Sequence, residues 1–161
     1  MLNDNNLPVI MCIGTDRVVG DSLGPKVGEK LIKRDIQAFI YGRTGQTVNG
    51  DNIGEYYKFI RKKHKGSAVI AVDACLGKAD EVGKVMYSMS GIGAGFAIRG
   101  GGKRYGDIGI VGVMAPSGGD NIGALMMVDA DAAERVAEKI AEYIIGNLWE
   151  ILLKVKVKKA K

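Results

Sequence analysis

The sequence predicts an α/β domain of three layers, with helices on both faces of a mixed, mainly parallel sheet. Three observations carry this. The runs Val9–Ile13, Ala68–Val72 and Ile108–Met114 are short, apolar and continuous rather than alternating, as in strands buried on both faces. Between them lie segments whose apolar residues recur at helical spacing. Strand-like and helix-like segments alternate, with no internal repeat and no linker.

In chain order, residues 1–7 are polar and are expected to fray. Val9–Ile13 is the first strand. It breaks at Gly14 into a glycine-punctuated loop that contains Asp21. Leu23, Val27, Leu31 and Ile32 then predict a helix from about Leu23 to Lys33, with Ser22 as N-cap and Pro25 in the first turn. Ala38–Tyr41 reads as a short strand, and Gly42–Asp51 as a polar loop. Ile53, Tyr56, Tyr57 and Ile60 mark a second helix, capped by Asp51 or Asn52. Its last turn carries Arg61, Lys62 and Lys63 against the negative end of the dipole. Ala68–Val72 is a strand expected to stop on Asp73. Val82–Met89 reads as an edge strand, antiparallel to its neighbour. Residues 91–106 read as a long glycine-rich loop, and Ile108–Met114 as a buried strand. Ile122–Val128 fits either strand or loop. Asp131 with Glu134 three residues on resembles a capping box, opening a helix that runs to about Leu153.

Composition narrows the function classes. With 161 residues, 47% hydrophobic and 25% charged, the chain is one ordered domain, not a disordered segment. The net charge is +5, and Lys154, Lys156, Lys158, Lys159 and Lys161 crowd the end. Residues 154–161 are therefore expected to form a flexible, solvated tail or a patch that meets an acidic partner. Nucleic acid is not the expected partner. No apolar run approaches membrane-spanning length. Cys12 and Cys75 read as reduced, buried thiols of a cytoplasmic protein.

Asp21 and Asp73 are the leading functional candidates. Each follows a buried strand at its expected carboxyl end, where α/β sheets place their ligands. Two carboxyls on one crevice cannot both ionise easily, so one keeps a proton and the pair can activate water. The competing reading makes Asp21 a helix cap and Asp73 a turn residue. Other candidates are weaker. Cys75 and Ser117 have no histidine partner. Gly91-Ile-Gly93-Ala-Gly95 lacks the full dinucleotide spacing and reads as a turn-forming loop, or as backbone N–H groups for a peptide or oxyanion. Asp16 can orient a substrate or pair with Arg17. Lys103 and Arg104 read as solvated charges or as an attraction for an acidic substrate.

The stretch Cys12–Pro25, C-I-G-T-D-R-V-V-G-D-S-L-G-P, resembles the opening motif of the YyaC family of sporulation proteins. That family is similar to the spore germination protease and, more distantly, to hydrogenase maturation proteases. The shared pattern falls on Gly14, Asp21 and Gly24, on the strand ending Val69-Ile-Ala-Val-Asp73, and on the glycine run from Gly91 to Gly95. The resemblance implies a phosphorylase/hydrolase-like fold and makes Asp21 and Asp73 the catalytic pair of an endopeptidase acting in spore formation or germination. Gly14, Thr15, Asp16, Gly91, Gly93 and Gly95 would then hold the substrate, with small acid-soluble spore proteins as the candidate substrate class. The same aspartate positions match nickel-contacting acids in the hydrogenase maturation proteases, which also use a histidine. The chain's only histidine, His64, precedes the strand that ends at Asp73. At about 3.3 Å per residue that strand puts it at the far end of the sheet. No metal and no cofactor are therefore expected. A binding or regulatory protein on the same fold, and a metal-dependent peptide or amide hydrolase, stay open as alternatives, as does self-association.

Overall fold

The computed structural model describes residues 6–93 and 103–161. Strands β1 (Val9–Cys12), β2 (Phe39–Tyr41), β3 (Val69–Gly77), β4 (Val85–Ser88) and β7 (Ile108–Pro116) form one sheet in the order β2-β1-β3-β7-β4. The first four in that order are parallel, and β4 closes one edge antiparallel to β7. Strands β5 (Ile92–Gly93) and β6 (Arg104–Tyr105) pair as a small separate ribbon. The helices are α1 (Leu23–Lys33), α2 (Ile53–Lys63), α3 (Asn121–Met126) and α4 (Ala130–Lys159).

The continuous apolar strands are buried on both faces, as their lack of alternation requires. Ile10, Cys12, Ile70, Val72 and Ile110 face α1 and α4, meeting Leu23, Val27, Val136 and Ile140. Val9, Met11, Val69 and Ala71 face the other way, onto Ile53 and Ile60 of α2 and onto Ile92 and Tyr105. This is the expected three-layer arrangement. Helices α1 and α4 are also joined at their surface by ion pairs of Lys26, Lys30 and Arg34 with Glu134 and Glu138.

Several local expectations need correction. β3 does not stop at Asp73 but continues to Gly77, because β7 pairs with it over that length. Ile122–Val128, which fitted strand or loop, is mostly the helix α3, with the Asp120 carboxylate accepting from the Gly123 N–H at 3.1 Å. Helix α4 is capped by Asp129, not Asp131, and Glu134 reaches across to α1 instead of back to the cap. Ser22 and Asn52 precede their helices without capping them by side chain. The lysine-rich end, expected as a flexible tail from residue 154, is helical to Lys159. Val155 is buried there, Lys158 bonds the Met89 carbonyl, and Lys159 lies 3.5 Å from Asp107. Among the described residues no helix is long and apolar enough to cross a membrane.

Candidate active site

The site begins where β1 leaves the sheet. Cys12 is the last residue of β1 and is paired with Val72. The Ile13 N–H still donates to the Val72 carbonyl at 2.7 Å, and Gly14 N–H donates to Val48 O at 2.8 Å. From Asp73 onward β3 keeps β7 on one side and has lost β1 on the other. Asp73 is thus inside a strand, yet its flank opens where β1 turns away. It is 6% exposed, and its Oδ1 accepts the Ala74 N–H at 2.8 Å.

The chain then returns through a 3₁₀ turn, Val19–Ser22, that carries Asp21. Thr15 N–H donates to the Asp21 carbonyl at 3.0 Å. So one backbone bond ties Asp73's neighbour Val72 to the start of the loop, and another ties the loop to Asp21. Two glycines make this closure sterically feasible. A Cβ at Gly14 would stand 2.1 Å from the Asp21 carbonyl oxygen, and one at Gly24 would stand 2.0 Å from that of Ile13. The spacing of Gly14, Asp21 and Gly24 is therefore a packing requirement that fixes where the acid sits.

Asp21 and Asp73 line the same open cleft, of about 470 Å³, within the range of sites that take a ligand. Gly14, Thr15, Asp16 and Arg17 form its floor and one side. The other side is the loop after β2, with Gly45, Thr47, Asn49, Gly50 and Asp51. Asp16 does not pair with Arg17. Its Oδ2 accepts the Gly45 N–H at 2.8 Å and holds the two loops together. Thr15 Oγ1 accepts the Arg17 N–H at 3.3 Å. Asn52 braces the far loop, donating to Thr47 O at 3.0 Å and accepting from Asn49 N–H at 2.9 Å. This second loop was not singled out from the sequence. Its signal was available, since a Gly- and Asn-rich loop after a parallel strand lies at the ligand-binding end of the sheet.

Burial pushes the Asp21 carboxyl up from 3.8 to about 6, with no ion pair or hydrogen bond opposing it among the described residues. Its side chain caps no helix, which removes the competing structural reading for this residue. Cys75 lies two residues beyond Asp73, and its thiol is pushed up to about 11 by burial, then by the charges of Asp73 and Glu81. It is a poor nucleophile at neutral pH. Gly91 and Gly93 do not line the cleft with Asp21. They line a smaller cavity that shares only Asp73 with it. Gly95 lies outside the described residues. Arg104 is not a free loop charge, because it donates to the carbonyls of Ser90 at 2.8 Å and Gly91 at 2.6 Å.

His64 sits at the opposite end of the sheet. Its Nε2 is 2.7 Å from the Tyr41 hydroxyl, and its ring packs on Phe39, the partner of Val9 at the start of β1. Among the described residues no three His, Cys, Asp or Glu side chains converge to hold a metal ion. The donor set of the cleft, carboxylates without an imidazole, does not fit a carboxylate-histidine nickel site. The chemistry the chain itself supplies there is that of carboxyl groups.

Residues 1–143 match the model of a family described as "Protein of unknown function (DUF1256)". The chain belongs to the DUF1256 family. The DUF1256 chain is 40% identical over 111 residues to the uncharacterized protein YyaC of Bacillus subtilis (strain 168), in agreement with the resemblance carried by Cys12–Pro25. The match covers 68% of this chain and 54% of YyaC, so the chain spans about half the length of that curated relative. Among solved structures it is similar to the NiFe hydrogenase maturation protease HycI from Thermococcus kodakarensis KOD1. That match has a TM-score of 0.46 and 22% identity and covers 85% of this chain and 91% of the other. It is also similar to the NiFe hydrogenase maturation protease HybD from Thermococcus kodakarensis, with a TM-score of 0.41 and 16% identity, over 84% of this chain and 99% of the other.

Proposed function

We propose that this DUF1256 protein is an endopeptidase that hydrolyses peptide bonds with Asp21 and Asp73, and that it acts on proteins of the spore. The observation that carries the reading is the placement of both carboxyls on one open cleft, with Asp21 biased toward its protonated form by burial. A pair held in different protonation states can serve as acid and base in one reaction. Water enters the cleft and attacks the carbonyl carbon of a bound peptide. The ionised carboxylate takes the water proton, and the protonated carboxyl gives its proton to the departing amine nitrogen. The C–N bond breaks, and the two carboxyls have exchanged states. The Gly14–Arg17 loop and the Gly45–Asp51 loop, tied together through Asp16, form the walls between which an extended peptide would lie.

The test is incubation of the wild type, Asp21→Asn and Asp73→Asn with small acid-soluble spore proteins, with products read by mass spectrometry. Cleavage by the wild type alone is expected, with each variant slower by about 100-fold or more. Equal cleavage by wild type and Asp21→Asn, or none by any of the three, overturns the peptidase reading and leaves a binding role for the fold.

A further inference from the structure

We propose that the cavity beside Asp73 is a specificity pocket that seats an apolar side chain of the peptide next to the scissile bond. This rests on the peptidase reading of the Asp21–Asp73 cleft.

The sheet register builds the pocket. Asp73 on β3 is the partner of Val111 on β7, and Val111 is the partner of Met86 on β4. Directly opposed residues of neighbouring strands project from the same face. The three side chains therefore form a row that starts at the cleft and runs across the sheet to its edge. One row further down, Ala71, Gly109 and Ser88 are likewise in register. Gly109 lets the β5–β6 ribbon settle onto the sheet there, since a Cβ would stand 2.2 Å from the Ile92 side chain. Arg104 fastens the ribbon to the end of β4 by its bonds to the Ser90 and Gly91 carbonyls. The result is a cavity of about 260 Å³ with Asp73 on the side of the cleft, a floor of Val111 and Met86, and a wall of Ile92 and Cys75.

Three features say what it holds. It is smaller than the roughly 300 Å³ at which sites for whole small molecules begin, so it suits a side chain. Its lining is mainly apolar; the polar side chains on it are Asp73, Tyr87, Ser88, whose hydroxyl is bonded to Ser90, and Arg104, whose guanidinium already donates to carbonyls. And it adjoins the cleft at Asp73, which lines both. Met86 is 44% exposed at the far end. A peptide extended over Asp73 places alternate side chains toward the sheet, and the one beyond the reacting carbonyl drops onto Val111 and Met86.

The experiment measures binding and cleavage of four labelled peptides that differ at one residue, leucine, phenylalanine, serine or aspartate. Binding is read by fluorescence anisotropy on Asp21→Asn, which holds substrate without turnover. Leucine and phenylalanine peptides are expected to bind at least about tenfold more tightly than serine and aspartate ones. Met86→Glu should erase that preference, and Met86→Leu should keep it. Equal binding of all four by Asp21→Asn, or a preference unchanged in Met86→Glu, overturns the pocket. If the binding preference is present but wild type cleaves none of the peptides, the pocket stands and the peptidase reading falls. If wild type cleaves all four equally, the peptidase reading stands and the pocket falls.

Discussion

Replacing Asp21 by asparagine should make the protein more stable above pH 6 and leave its stability near pH 3.5 unchanged. Burial raises this carboxyl from 3.8 to about 6, so ionising it costs on the order of 3 kcal/mol more in the folded protein than in the unfolded chain. Between those two values the folded protein holds a proton that the unfolded chain has lost. Stability contributed at this site therefore falls as pH rises through that window. Below 3.8 both states are protonated and nothing is lost, whereas above about 6 the cost is complete. The cleft is open to water, so 3 kcal/mol is a ceiling. Asparagine keeps the shape and cannot ionise. For a domain of this size each kcal/mol moves the melting temperature by about 2–4 °C. The variant should then melt up to roughly 10 °C higher at pH 8, with no difference at pH 3.5. Scanning calorimetry of both proteins at the two pH values reads this directly. A helix-capping aspartate gives a different result, because asparagine caps about as well and no pH-dependent gap opens. A variant that melts with the wild type at pH 8, or below it, refutes the account of a desolvated acid held for chemistry at a cost in stability.

Two further expectations concern the frame around the acids. Gly24→Ala should lower stability by about 3 kcal/mol or more in urea denaturation, because its Cβ would meet the Ile13 backbone, which cannot yield. Gly54→Ala, in open space on α2, should instead stabilise by up to about 1 kcal/mol, and equal effects of the two would show that the Gly14–Asp21–Gly24 spacing is not a packing constraint. Cys75 should resist thiol reagents at pH 7.5, where fewer than roughly one thiol in a thousand is ionised. Asp73→Asn should speed its labelling by removing a neighbouring negative charge, and rapid native-state labelling of the wild type would reopen the cysteine as a nucleophile.

What the sequence made legible was what local pattern decides. Helix α1 runs over the predicted Leu23–Lys33 because its apolar stripe and Pro25 in the first turn agree on one start. The edge position of β4 and its antiparallel direction followed from weak alternation in Val82–Met89. The misreading of Asp73 involves a partner distant in sequence. Aspartate is a poor strand former, so Asp73 looked like a terminus. Its extended backbone is held by pairing with Val111, which no local rule reports. The lysines after residue 153 suggested a tail, yet Ile144, Ile151 and Val155 continue the buried stripe at helical spacing. Charge density outweighed a periodicity that was already there. Of the two readings open for Asp16, the pair with Arg17 is not formed, and its carboxylate holds the loop after β2 at the edge of the cleft.

The position of the cleft follows from how the strands are connected. From β1 the chain crosses by α1 to β2 on one side. From β2 it crosses by α2, past β1, to β3 on the other side. Crossovers of one hand that travel in opposite directions must put their helices on opposite faces, and α1 and α2 do pack on opposite cores. The loops leaving β1 and β2 therefore part from each other above the carboxyl end of β1, opening a crevice that no side chain had to carve. Asp21 enters it from the β1 loop and Asp73 from the strand alongside. The two glycines then set how deeply the loop closes over Asp21. Topology supplies the crevice, glycine packing supplies the burial, and burial supplies the raised proton affinity. A protein with the same crevice but side chains at positions 14 and 24 would hold its loop further out, leave Asp21 solvated, and lose the raised proton affinity that the proposed hydrolysis asks of this carboxyl.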